Sequence, residues 1–105
     1  MPSPQQIERF TLAFHRVAVA RLRQKPDLQQ QALQVISRWE SSGATSAGQS
    51  YRDTWRRLLA GDVDDLERAV CVDAEQAATL RSMSPLGFVL PEAERLRIRR
   101  EAMAL

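Results

Sequence analysis

Apolar residues recur at spacings of three and four along nearly the whole chain, and no segment alternates apolar and polar positions between turn signals. Ile7, Phe10, Phe14 and Val17 mark a first helix over 5–24, with Pro4 just ahead of it. Leu12, Val19 and Leu22 widen its stripe, and Arg9, Arg16, Arg21 and Arg23 fill the rest. Pro26 ends this helix, because the residue before a proline is pushed out of helical geometry. Leu28, Ala32, Val35, Ile36 and Trp39 form the cleanest stripe, on a second helix over 27–41 with Asp27 as its expected N-cap. The small-residue run from Ser41 to Gly48 reads as a loop.

A third helix over 49–60 is expected to bury Tyr51, Trp55, Leu58 and Leu59 and to turn Arg52, Arg56 and Arg57 outward. Gly61 is its expected stop. Asp62 then caps a fourth helix over 63–71 whose inner positions are Val63, Leu66, Ala69 and Val70. Asp73 is the expected cap of a fifth over 74–83. Pro85 and Gly87 forbid a continuous helix from Met83 to Leu90, so this segment is expected to be extended. Pro91 suits the first position of a last helix reaching about residue 102. The pattern predicts an all-α fold: a small bundle of five to six helices with an extended Ser-Pro-x-Gly segment before the last one. One domain is expected over 1–105, with the bundle at about 5–83 and a C-terminal arm at 84–105.

Composition narrows the chemistry. The chain has 105 residues and is 44% hydrophobic, but alanine supplies many of those positions, so the core is modest. One cysteine, Cys71, excludes an internal disulfide and a multi-cysteine zinc site. The polar start and the lack of a long apolar run predict a cytoplasmic protein with no membrane span. The net charge of +2 is unevenly spread. Basic groups dominate residues 1–60 and acidic groups dominate 61–90, a layout suited to docking on a charged surface or on a second copy.

No catalytic group stands out. His15 is the sole histidine and has no orienting carboxylate close in sequence, so it reads as a boundary residue of the first helix. Cys71 lies beside Val70, Val72 and Asp73, a setting that disfavours thiolate, and reads as a buried thiol. Asp62, Asp64, Asp65 and Glu67 lack the glycine and closing glutamate of a calcium loop and suit a helix N-terminus instead. No enzyme activity, metal or cofactor is expected.

Binding features are clearer. The run Arg95-Leu96-Arg97-Ile98-Arg99-Arg100 is basic, though a helix spreads these side chains around its circumference. A helix-turn-helix over 62–83 would present Glu75, Gln76, Thr79 and Arg81 behind an acidic helix, a poor match to DNA. Ser84-Pro85-Leu86-Gly87-Phe88-Val89-Leu90 is too apolar for a free loop and must either tuck over the bundle or meet a partner.

The order Trp55-x-x-Leu58-Leu59-x-Gly61, an acidic helix, Leu80-Arg81-x-x-Ser84-Pro85-Leu86-Gly87-Phe88-Val89-Leu90 and a charged helix resembles small bacterial proteins that form the antitoxin half of toxin–antitoxin pairs. The resemblance implies a protein that binds and neutralises a toxin enzyme and also regulates its own operon. On that reading the contact residues are Arg81, Pro85, Leu86, Phe88, Leu90, Arg95 and Arg99, with Phe88 and Leu90 as apolar anchors. Two other readings stay open: a nucleic-acid-associated regulator using the arginine-rich surfaces, and a self-associating structural protein.

Overall fold

The computed structural model describes residues 1–104. Within them run α1 (Pro4–Gln24), α2 (Asp27–Ser41), α3 (Gln49–Ala60), α4 (Val63–Val70), α5 (Glu75–Ser82) and α6 (Glu92–Met103), with 3-10 turns at Ser46–Gly48 and Leu86–Phe88. No strand occurs among the described residues, and the all-α bundle is as expected. No helix is long and apolar enough to cross a membrane.

The ends of α1 follow from local chemistry. Ser3 Oγ accepts from the Gln6 backbone N–H at 3.1 Å while the Ser3 N–H donates to Gln6 Oε1 at 2.8 Å, a reciprocal cap for two otherwise orphaned donors. At the other end the Lys25 N–H still reaches Arg21 O at 2.9 Å before Pro26 turns the chain. Two expected caps are displaced. Pro26 rather than Asp27 occupies the N-cap of α2, and Ala74 rather than Asp73 that of α5, neither with a side-chain cap bond. Asp62 does cap α4, accepting from the Asp64 N–H at 2.6 Å.

Helix α1 is the hub, packing on α6 most extensively and also on α4, α5 and α2. Its Phe14, Ala18, Val19 and Leu22 meet Ile36 of α2, Trp55 and Leu59 of α3, and Leu66 and Val70 of α4 in one apolar cluster. Fully burying one such large side chain contributes roughly 1.5–3 kcal/mol. Trp55, the largest of them, also donates its indole N–H to Leu80 O at 2.9 Å, which fixes the end of α5. Two expected core positions lie at the edge: Trp39 is 37% exposed and Val35 half-buried.

Arg52 shows the reverse error. Expected on the outer face of α3, it is buried and donates to Glu40 at 3.3 Å, Thr45 O at 2.7 Å and Gln49 Oε1 at 3.0 Å. Arg56 reaches the same Glu40 carboxylate, so one acid at the end of α2 ties down two arginines of α3. The close approach this needs is made at Gly48, where a Cβ would stand 2.9 Å from the Arg52 guanidinium and 2.7 Å from Met83 Cε.

The 84–90 segment is not extended. Ser84 Oγ accepts from the Leu86 N–H at 3.1 Å and starts the 3-10 turn, which closes with Val89 N–H to Leu86 O at 3.0 Å. That turn carries Leu86, Val89 and Leu90 into the same core cluster as Trp55. Helix α6 then returns antiparallel along α1. Gln6 and Arg9 donate to the α6 carbonyls of Met103 at 3.4 Å and Ala102 at 3.2 Å, while Arg21 forks onto Glu94 at the other end at 2.9–3.0 Å. The arm is therefore tied to the bundle along its length.

Candidate functional site

Between α1, the 3-10 turn and α6 lies a cleft of about 410 Å³. Helix α1 presents Phe10, Thr11, Phe14 and His15, which fall on one face because positions three and four apart are neighbours on a helix. Arg81 comes from the end of α5, Ser84 and Gly87 from the 84–90 segment (the strap), and Arg95, Leu96 and Arg99 from α6. No carboxylate lines it among the described residues. Two further hollows, one beside Trp39 and Met83 and one at the start of α1, contain no buried side-chain atom left unpaired among the described residues.

The cleft floor is unusual in its buried polar groups. Arg81 is only 4% exposed. One Nη donates to Val70 O at 2.7 Å and Val72 O at 2.8 Å, and the other lies 3.4 Å from the half-exposed Glu8 carboxylate. Its Nε has no partner among the described residues. His15 is 3% exposed, not a boundary residue, and packs edge-on against Phe14 and tilted against Trp55. Its Nδ1 lies 2.7 Å from Thr11 O, and since a carbonyl only accepts, Nδ1 carries the proton. His15 Nε2 is then an acceptor, and it too has no partner. Burial, opposed by the Thr11 carbonyl and reinforced by the Arg81 charge, pushes the His15 pKa down to about 4.

The mouth of the cleft is cationic and apolar. Arg95 lies over the Phe14 ring at 5.7 Å and donates to Gly87 O. Neither Arg95 nor Arg99 has a carboxylate within ion-pair distance among the described residues. Phe88 is 41% and Leu96 46% exposed, and each follows one of the linked residues Gly87 and Arg95 in the chain.

The structure divides the seven expected contact residues. Arg95 and Arg99 line the cleft, and Phe88 stands at the surface beside it. Pro85, Leu86 and Leu90 are buried in the core instead, because the 3-10 turn points them inward, so none offers a contact surface. Arg81 is buried as well, a floor residue rather than a surface ion. Periodicity did not reveal Phe10, Thr11, Phe14 and His15 as cleft residues, since apolar stripe positions look alike whether they face core or cleft.

Known proteins supply no family for this chain. No family model, curated protein or solved structure matches it.

His15 and Cys71 are both held in their neutral forms. A general base works best with a pKa near the operating pH, and His15 sits well below it. Cys71 is buried, and burial aided by Glu67 raises its pKa to about 11, which keeps it a thiol. Among the described residues no group of three or more His, Cys, Asp or Glu side chains could hold a metal ion.

Proposed function

We propose that this chain is a non-catalytic binding protein whose contact surface is the α6 side of the cleft, and that its partner is a protein. The observation that carries this reading is the pairing of exposed Phe88 and Leu96 with Arg95 and Arg99. Large apolar side chains next to arginines without acidic partners match the composition of interface anchors, of which a few supply most of the binding energy. The resemblance over residues 55–90 names the partner class as a toxin enzyme, which this chain would neutralise in the cytoplasm.

The test is co-expression with the product of the neighbouring reading frame, which this reading expects to be a toxin enzyme. The wild-type chain is expected to form a stoichiometric complex and to suppress that enzyme's growth toxicity. Phe88→Asp combined with Leu96→Asp should keep the far-ultraviolet spectrum and melting of a folded bundle, since both side chains are outside the core. It should lose at least about 2 kcal/mol of binding, roughly 30-fold, and with it the protection. If the double variant protects as well as the wild type, this face is not the interface.

A further inference from the structure

We propose that the α1–α6 cleft is a binding site for a small organic anion, a carboxylate carried on an aromatic or branched apolar body. Its volume of about 410 Å³ lies within the 300–1,000 Å³ of small-molecule sites, and such sites combine apolar walls with a few converging polar groups. Phe10, Phe14 and Leu96 form the apolar walls. Arg95 and Arg99, one helical turn apart on α6, supply two guanidiniums at the mouth that no carboxylate among the described residues neutralises.

The floor points to the same chemistry. The Arg81 charge is out of water, held by two backbone carbonyls and one more distant acid. A buried cation compensated so incompletely favours an anion nearby. Its unpartnered Nε–H is a donor, and His15 Nε2 is an unpartnered acceptor on the same floor. A carboxylate oxygen is an acceptor for the Arg81 Nε–H, and it pairs with His15 Nε2 when that atom takes up a proton. A positively charged ligand meets three arginines, and a purely apolar one leaves the Arg81 Nε–H unpaired.

The site does not depend on the protein-partner reading, because the isolated chain is what is titrated. The uniformly ¹⁵N-labelled full chain is titrated with 3-phenylpropionate, with the neutral 3-phenylpropionamide and with acetate. For 3-phenylpropionate, saturable shifts confined to the cleft are expected, with millimolar affinity or better, as fits a ligand of this size. The His15 ring should titrate at higher pH in its presence, since a bound carboxylate favours the imidazolium. The amide and acetate should bind at least about tenfold more weakly. Arg99→Gln should weaken 3-phenylpropionate by a similar factor, whereas Arg57→Gln, an exposed arginine away from the cleft, should leave it unchanged. Equal binding of the amide, equal loss in the two variants, or no saturable shift up to about 10 mM would each overturn the proposal.

Discussion

His15 holds its proton on Nδ1 against the Thr11 carbonyl, and burial together with the Arg81 charge disfavours a second proton. In the unfolded chain the ring takes up a proton near its ordinary value of 6.5, but in the fold only near about 4. The unfolded state therefore binds more protons between those two values, and stability falls as pH drops from 6.5 to 4. The loss levels off below pH 4 at about 3 kcal/mol. Glu40 acts lower on the scale: hydrogen bonds from Arg56, Gln49 and Arg52 hold its pKa at about 2, so its contribution is lost as pH falls from 4.5 toward 2. Urea unfolding at pH 7 and pH 4.5 separates the two. His15→Gln should flatten most of the upper part of the pH dependence, and a slope left unchanged would assign it to carboxylates instead.

At the scale of elements, the helices were legible because each combines periodic apolar positions with Pro, Gly or Asp punctuation, as at Pro26, Gly61 and Asp62. The strap from Ser84 to Leu90 was not. Pro85 and Gly87 correctly exclude a long helix, yet a 3-10 turn needs only three residues and one bond from Val89 to Leu86. Leu86, Val89 and Leu90 are spaced to share its inner side, while Phe88 falls outside. That division has a measurable consequence. Leu90→Ala should cost about 2–5 kcal/mol through lost burial and a residual cavity, because Leu90 is 3% exposed. Phe88→Ala should stay within about 1 kcal/mol of the wild type. Denaturant midpoints for the two variants decide the matter, and a larger loss at Phe88 would place that ring in the core. The cleft was harder to read than the strap. Arg95 and Arg99 announce themselves by charge, but His15 and Arg81 reach it through tertiary packing between residues 66 apart in sequence.

For the whole molecule, the uneven charge along the chain proves to be complementarity between helices. The acidic start of α4 faces the basic end of α1, where Arg23 lies 2.6 Å from Asp64 and 3.3 Å from Glu67. Arg21 joins α1 to α6 through Glu94, Glu40 joins α2 to α3, and Arg81 joins α5 to Glu8 of α1. Part of the arginine content is therefore used within the fold, while Arg95 and Arg99 at the cleft are among the arginines without an acidic partner among the described residues. The exposed pairs among these, such as those of Arg23, are screened by salt. Several acting together between elements should make the bundle less stable at high ionic strength, by about 1–2 kcal/mol between roughly 0.05 and 1 M sodium chloride. For a domain of this size that corresponds to a fall in melting temperature of roughly 5–10 °C. The opposite sign has a distinct physical meaning: if added salt raises the melting temperature, repulsion among the arginines outweighs these pairs. Arg23→Gln separates the cases, because it removes one cation and two cross-helix contacts together. It should lower the melting temperature in low salt and have a smaller effect in high salt, whereas a surface dominated by repulsion would gain stability from the same change.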